Sequence, residues 1–370
     1  MHSFIFLTLT GISVLSLLIL LYYYLTIFNK LRRVKLSVKT TDIPVSIVIA
    51  AKNEKSNLEQ NLPLILNQDY SNFEVVVIND GSFDGTFDFL DSLAKEHKNL
   101  SVRHLDINER FQRGKKFALT IGIKLAKHEQ LLFTDADCRP NSEHWIKAMM
   151  SAKENKEIVL GNAPLTVKAN LLGSIIKYET FHTALQYLTY ALAGKTYMGV
   201  GRNLSYSKSL FFKNKGFASH QHIQSGDDDL FVQETANSTN VAVCVNPDSF
   251  MYSQGPQGFK KWLNQKTRHL STSKTYLGKY KRLLGVYSVF QILIYITCIT
   301  SIILQPLNWY IPIAIIGFKW IVQWFVFFKP TRMLDAKKIG YALPYYDVLY
   351  TLYLLLFGLI KPFRKQKTWR

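Results

Sequence analysis

Two kinds of apolar pattern alternate along this chain. Residues 4–28 are almost wholly apolar and uncharged, long enough to cross a hydrocarbon core of roughly 30 Å. From residue 45 onward the apolar runs shorten and become β-branched. Val45-Ser46-Ile47-Val48-Ile49-Ala50, Glu74-Val75-Val76-Val77-Ile78, residues 100–105 and Gln130-Leu131-Leu132-Phe133 read as buried strands. Between them the period changes to that of helices. A capping box at Ser56 and Glu59 predicts a helix over 57–67, with Pro63 as a kink or shift, and further helices are expected over 86–95 and 117–127. Strand and helix in alternation predict an open α/β sheet with largely parallel pairing.

Further on, Leu171, Ile175, Tyr178, Phe181, Leu185, Leu188 and Leu192 recur at helical spacing, which suits a core helix or an interfacial one. Residues 286–304 and 309–328 are two more candidate spans, joined by the uncharged stretch 305–308. Residues 348–360 are apolar but short, with Asp347 at their start. They are expected to be re-entrant or interfacial, with a third full span as the alternative. The division that follows is an anchor over 1–29, a cytosolic domain over 44–282 and a membrane region over 286–360.

Charge orients these segments. Lys30, Arg32, Arg33, Lys35 and Lys39 follow the first span, and Lys329, Arg332, Lys337 and Lys338 follow the last of the long ones; by the positive-inside rule both ends face the cytosol. A cleaved signal peptide fits poorly, because no basic region precedes the apolar run and Tyr22-Tyr23-Tyr24 occupies the place of a small-residue cleavage site. The expected location is the inner cell membrane, multi-pass. The formal net charge of the 370 residues is +19. Lys260, Lys261, Lys266, Arg268, Lys274, Lys279, Lys281 and Arg282 lie in one acid-free stretch beside an apolar region, which favours membrane lipids or a phosphate over nucleic acid. Three scattered cysteines, Cys138, Cys244 and Cys298, exclude a disulfide framework.

The candidate chemistry sits at strand ends. Asp135 and Asp137 follow the fourth strand, one residue apart, and can both approach a divalent cation beside a bound polyphosphate. Asn53-Glu54 ends the first strand, and Asn79-Asp80-Gly81-Ser82-Phe83-Asp84-Gly85-Thr86 is a tight loop after the second. Ligands of such sheets bind beyond the carboxyl ends of the strands, so these acidic sites are expected to line one crevice, with Arg113, Lys115 and Lys116 available to neutralise a pyrophosphate. Asp84 is better read as a helix cap than as a ligand. Residues 199–203 suit a turn into the next strand or an acceptor-side loop carrying Arg202 and Asn203. His182, His220 and His222 have no metal-ligand spacing.

Residues 45–54, 79–86, 114–119 and 134–137 together resemble the successive nucleotide-binding motifs of the family 2 glycosyltransferases, which have a GT-A fold. Ser225-Gly226-Asp227-Asp228-Asp229-Leu230 is similar to the family's acceptor-side Glu-Asp-x-Asp-Leu element, and Gln265-Lys266-Thr267-Arg268-His269 to its Gln-x-x-Arg-Trp element. The resemblance covers about residues 44–282. It implies a Rossmann-like open mixed sheet, with Ala51, Asn53, Glu54, Asp80, Ser82, Lys115, Asp135, Ala136 and Arg268 around the nucleotide sugar, a UDP- or GDP-sugar. It implies Asp135 and Asp137 on a Mg²⁺ or Mn²⁺ ion, Gly201, Arg202, Asn203, Gln265 and His269 on the acceptor side, and a general base in the 225–230 element. Gly226 stands where the family often has Glu, which leaves the base open between Asp227 and Asp228, with Asp227 preferred by register from Asp229-Leu230. His269 stands where processive synthases have Trp.

The function expected is single transfer with inversion, from a nucleoside diphosphate sugar to a lipid-linked or cell-envelope glycan acceptor. The alternatives are a processive synthase, nucleotidyl transfer, or a catalytically silent membrane scaffold. Glycoside hydrolysis also uses paired carboxylates, but it needs neither metal nor phosphate cradle.

Overall fold

The structure is a computed structural model and describes residues 2–35, 41–105, 114–223 and 225–360. Lys39 and Arg113 lie outside the described residues. In chain order the elements are α1 (His2–Tyr22), β1 (Val45–Ala51), α2 (Lys55–Leu66), β2 (Phe73–Asn79), α3 (Thr86–Glu96), β3 (Leu100–His104), α4 (Lys115–Leu125) and β4 (Gln130–Phe133). Then come β5 (Cys138–Pro140), α5 (Trp145–Lys153), β6 (Ile158–Gly161), β7 (Leu165–Thr166), α6 (Leu171–Leu192), β8 (Leu204–Ser207), α7 (Lys208–Lys213) and α8 (Asp229–Thr235). The last are β9 (Val241–Cys244), β10 (Met251–Gln254), α9 (Phe259–Ser273), α10 (Gly278–Leu304), α11 (Tyr310–Met333), α12 (Lys337–Gly340) and α13 (Leu343–Ile360). The chain divides into two compact units, one of 1–34, 170–190 and 276–365, the other of 35–169, 191–275 and 366–370.

The second unit holds a seven-stranded sheet in the order β3-β2-β1-β4-β8-β6-β9. The pairs from β3 to β4 are parallel, β8 runs antiparallel to both β4 and β6, and β6 pairs parallel with β9. The apolar run of β1 is continuous because both its faces are covered. Val45, Ile47 and Ile49 pack with Leu58 and Leu62 of α2 and Ile146 and Met149 of α5, while α4 covers the opposite face. Close approach of α4 depends on Gly122, where a Cβ would lie 2.6 Å from Val48 Cγ1. A second sheet, β5-β10-β7, was not expected from the sequence; its strands have three, four and two residues, too short to carry a period.

From β1 to β4 the predicted strands and helices fall within two residues of those observed, whereas α10 and α13 begin earlier than the expected spans and α11 ends later, and the start of α2 has a cause the sequence reading did not give. α2 begins at Lys55, not after the Ser56 capping box, because the Lys55 N–H donates to Asp84 Oδ2 at 3.1 Å. Asp84 Oδ1 also accepts from the Thr86 N–H at 3.1 Å, so this one carboxylate caps the starts of both α2 and α3.

The other unit is helical. Among the described residues three stretches are long and apolar enough to cross a membrane: Phe4–Arg33, Gly278–Leu304 and Pro306–Met333. α1 packs on α10 through Ser13 Oγ and Thr297 Oγ1, 2.7 Å apart, and its continuation places Phe28 against Phe327 and Tyr287. All but the last two residues of α6 belong to this unit, and His182 pairs there with the Tyr287 hydroxyl at 3.0 Å. The sequence reading overlooked a polar centre in this unit. Lys319 of α11 is ion-paired with Asp347 of α13, both fully buried, and the same carboxylate accepts from Gln291, Gln323 and the Tyr295 hydroxyl. Asp347 thereby ties α13 to α10 and α11.

Removing one partner of a buried pair strands the other charge, at a cost of roughly 3–5 kcal/mol, whereas removing both is far milder. Asp347→Leu in the full chain is therefore expected to lower the melting temperature in detergent sharply, and Lys319→Met with Asp347→Leu to recover most of the loss. A single variant as stable as the double would contradict the pairing.

Candidate active site

The donor end of the site is built by two loops laced together. After β1 the chain turns through Asn53, whose φ of 56° is left-handed, a conformation Asn tolerates better than most residues. Its N–H donates to Ser82 Oγ at 2.8 Å, and its Oδ1 accepts from the Phe83 N–H at 3.0 Å. The Glu54 N–H meets Thr86 Oγ1 at 3.2 Å. The loop after β2 is thus clamped to the loop after β1, and Asp80 N–H donates to Ala51 O at 2.8 Å across the two strands. Behind the loop, Asn79 contacts His104 Nδ1 at 2.9 Å, while His104 Nε2 contacts Asp91 at 2.9 Å.

Asp80 is left open by this lacing. Its carboxylate is 1% exposed, neither oxygen accepts a hydrogen bond among the described residues, and Lys52 Nζ is 4.0 Å away. A buried carboxylate without hydrogen bonds marks a place prepared for a donor group. Glu54, held by Asn57 Nδ2 at 2.5 Å, is pushed above the usual carboxylate range by burial, with Asp137 and Asp135 adding to the effect.

The parallel pairing of β1 with β4 brings Asp135 and Asp137 beside these loops. Ligand atoms of Asp135, Asp137 and Cys138 lie within 4.8 Å of one another, close enough to converge on one ion. Burial, then the Asp135 charge, raises Asp137, so the pair is held under mutual repulsion that a cation would relieve. Two carboxylates suit a hard dication such as Mg²⁺ or Mn²⁺. Ala136 contributes its carbonyl to Asn61 Nδ2 at 3.1 Å, which fixes the turn.

A cavity of about 260 Å³ joins this end to the 225–230 element; Asp135, Thr134, Gly201, Tyr206, Asp227 and Asp228 all line it. Lys115, at the start of α4, spans it, with Nζ 2.7 Å from Asp135 Oδ1 and 3.0 Å from Asp227 Oδ2. Burial would depress this ammonium, yet Asp135, Asp227 and Asp228 outweigh burial and hold it well above the ordinary lysine range. Lys116 turns elsewhere. Its ammonium donates to the carbonyls of His220 at 2.7 Å and Ile223 at 3.0 Å, and burial brings it down to about 8. The structure thus commits Lys116 to backbone carbonyls instead of the phosphate expected of it.

Asp227 and Asp228 have separate tasks. Burial opposes ionisation of Asp227, but Lys115, and behind it Lys116, outweigh burial and hold the carboxyl below its usual range. Asp228 is pushed the other way by burial and by the Asp227 charge. Its oxygens accept from the Gly201 N–H at 2.7 Å and the Asp229 N–H at 2.8 Å, so it caps α8 and fastens the turn at 199–203. Gly226, the departure from the family's Glu, has φ +91°, and a Cβ there would lie 2.6 Å from Leu230 Cδ1. Backbone and packing both demand glycine at this point.

On the expected acceptor side, Gly201 lines the cavity, and Arg202 donates to Ser253 Oγ at 2.6 Å. Asn203 is fully buried; its Nδ2 donates to the carbonyls of Asn162 and Ser249, and its Oδ1 accepts from Trp145 Nε1. Its amide is therefore spent on holding the turn. Gln265 and Arg268 lie on α9, with Arg268 exposed and Gln265 half-buried. The His269 side chain lies outside the described residues.

A mannosyltransferase, PcManGT, from Pyrobaculum calidifontis, solved in complex with GDP-Man and Mn²⁺, superposes with a TM-score of 0.57 at 18% identity, over 99% of this chain and 100% of that one. The fold is accordingly the GT-A fold, a mixed α/β sheet accompanied by apolar helices near both ends of the chain. The sequence profile described as glycosyl transferase family group 2 matches residues 132–361, and that of glycosyl transferase family 2 matches residues 46–211. This chain belongs to the family 2 glycosyltransferases. A poly-beta-1,6-N-acetyl-D-glucosamine synthase of Staphylococcus epidermidis is 30% identical over 154 residues, 41% of this chain and 36% of that protein. An uncharacterized glycosyltransferase of Haemophilus influenzae is 28% identical over 147 residues, 39% of this chain and 42% of that one. The chain thus spans well under two thirds of the length of these relatives.

The division of labour between neighbouring aspartates can be measured as stability. Asp228→Ala removes a cap and a loop fastener and is expected to cost about 1–2 kcal/mol in thermal unfolding. Asp227→Asn keeps a group that can accept from Lys115, which stays paired with Asp135, and is expected to cost less than Asp228→Ala. The opposite order would reverse the two assignments.

Proposed function

We propose that this protein is an inverting, metal-dependent glycosyltransferase held in the cell membrane with its catalytic unit in the cytosol. It moves one sugar from a UDP- or GDP-sugar to a lipid-linked or cell-envelope glycan acceptor. The observation that carries the reading is the single lysine between Asp135 and Asp227, which puts a donor-side carboxylate and an ionised carboxylate in one cavity. The basic residues after α1 and α11 support the cytosolic orientation.

Asp80 and Glu54, with Asn53 and Ser82 framing them, receive the nucleoside. Asp135 and Asp137 hold Mg²⁺ or Mn²⁺, which when bound supplies Lewis-acid stabilisation of the departing diphosphate. Asp227 takes the proton of the acceptor hydroxyl as its oxygen bonds to the anomeric carbon; the bond to the diphosphate breaks and its electron pair leaves with the nucleotide. One base and one displacement invert the anomeric centre. Asp228 positions the turn at Gly201; on α9, Gln265 and His269 serve the acceptor and Arg268 the nucleotide sugar.

A processive synthase is the second reading, favoured by the 30% identity to the poly-beta-1,6-N-acetyl-D-glucosamine synthase. Product length in a detergent assay separates it from single transfer.

Purified protein supplied with UDP-, GDP- or dTDP-sugars and Mn²⁺ is expected to release nucleoside diphosphate with at least one donor. Release of pyrophosphate would indicate nucleotidyl transfer. Asp227→Asn is expected to lose about 10²- to 10⁴-fold in turnover while still binding donor; full activity in that variant would overturn the base assignment.

A further inference from the structure

Arg202 sits in a turn that is immobilised on either side of it. Before it, the Gly201 N–H is fastened to Asp228 at 2.7 Å; after it, the Asn203 side chain makes three hydrogen bonds, to Trp145, Asn162 and Ser249, each at 3.0 Å or less. So many bonds are not needed to make a plain entry into β8. They present one guanidinium in a fixed place, which lowers the ordering cost of any group it binds.

That place is beside the turn that carries Asp135 and Asp137. The Arg202 guanidinium donates to Ser253 Oγ at 2.6 Å, and Ser253 on β10 is the direct antiparallel partner of Cys138 on β5, the residue after Asp137. Cys138 Sγ in turn lies 3.4 Å from Asp137 Oδ1. Among the described residues the bond to Ser253 is the one hydrogen bond its side chain makes, so most of the planar fork is open to an anion.

Charge balance says which anion. Asp135 and Asp137 would hold one dication, and Lys115 is already shared between Asp135 and Asp227. The diphosphate of a sugar nucleotide then brings further negative charge, and Arg202 is a cation held beside the Asp137 turn with most of its donors open. We propose that Arg202 is a donor residue that grips the diphosphate and stabilises it as it leaves, in place of a role toward the acceptor. A guanidinium fork matches phosphate oxygens bidentately, and its contact strengthens as the leaving group gains charge.

The inference rests on the glycosyltransferase reading, and the test separates their failures. Binding of UDP, UMP, GDP and GMP to the full-length protein with Mn²⁺ is measured by titration calorimetry for wild type, Arg202→Met and Arg202→Lys. Wild type is expected to bind one diphosphate more tightly than its monophosphate. Arg202→Met should lose about 10- to 100-fold in affinity for that diphosphate and little for the monophosphate, and Arg202→Lys should recover part of the loss. Turnover should fall more than donor KM rises, with acceptor KM unchanged. Thermal unfolding of each variant excludes collapse of the turn. If wild type binds a diphosphate and Arg202→Met binds it equally well, or only acceptor KM rises, the inference is overturned. If wild type binds none of the four nucleotides, the transferase reading itself fails.

Discussion

Three aspartates from two distant parts of the chain share one small cavity, and Lys115 is what allows them to be there. Its ammonium lies 2.7 Å from Asp135 and 3.0 Å from Asp227 and, against burial, holds the Asp227 carboxyl below its usual range. An ionised Asp227 is what the proposed proton transfer from the acceptor requires. The lysine therefore links the proposed metal-side carboxylate to the proposed base. Its position is fixed by the first turn of α4, which Gly122 allows to lie close on the sheet. Packing at β1 and electrostatics at the cavity are in this sense one constraint.

Around that pair the protein stiffens its loops by hydrogen bonds in place of apolar contacts. The loop after β1 is fastened to the loop after β2 through Asn53, Ser82, Phe83, Asp84 and Thr86, and the turn at 199–203 is fastened through Asp228 and Asn203. Loops that carry function usually lie at the soft end of a fold. Here these hydrogen bonds hold the open residues, Asp80 and Arg202, at set positions. The helical unit uses a related device at Lys319 and Asp347, where a single carboxylate gathers donors from α10 and α11.

The sheet from β1 to β4 and its acidic ends were legible because each strand is a β-branched run followed by turn chemistry, and parallel pairing then dictates that the ends cluster. Asp84 was legible as a cap, though not as the cap of two helices at once. Beyond Asp137 the signal fades. β5, β7 and β10 are too short to show a period, so nothing in the sequence placed Ser253 beside Cys138. Asn203 looked like an acceptor ligand because a polar residue near a glycine turn suggests one; its burial and three internal bonds are decided by Trp145, Asn162 and Ser249, which lie far away in sequence. Lys116 and Lys115 are adjacent and chemically identical, and only the helix phase sends one to the aspartates and the other to backbone carbonyls. Lys319 was hidden because a lone lysine within an apolar run gives no sign of its partner.

The central claim is that one carboxylate, Asp227, and one donor pocket perform a single direct displacement. Its most direct test is the configuration of the bond made. With an α-linked nucleoside diphosphate sugar as donor, proton NMR of the first transferred residue should display the anomeric coupling of a β-linkage. An α-linkage in that product would contradict the account, because a direct displacement by an acceptor activated at one base inverts the anomeric centre.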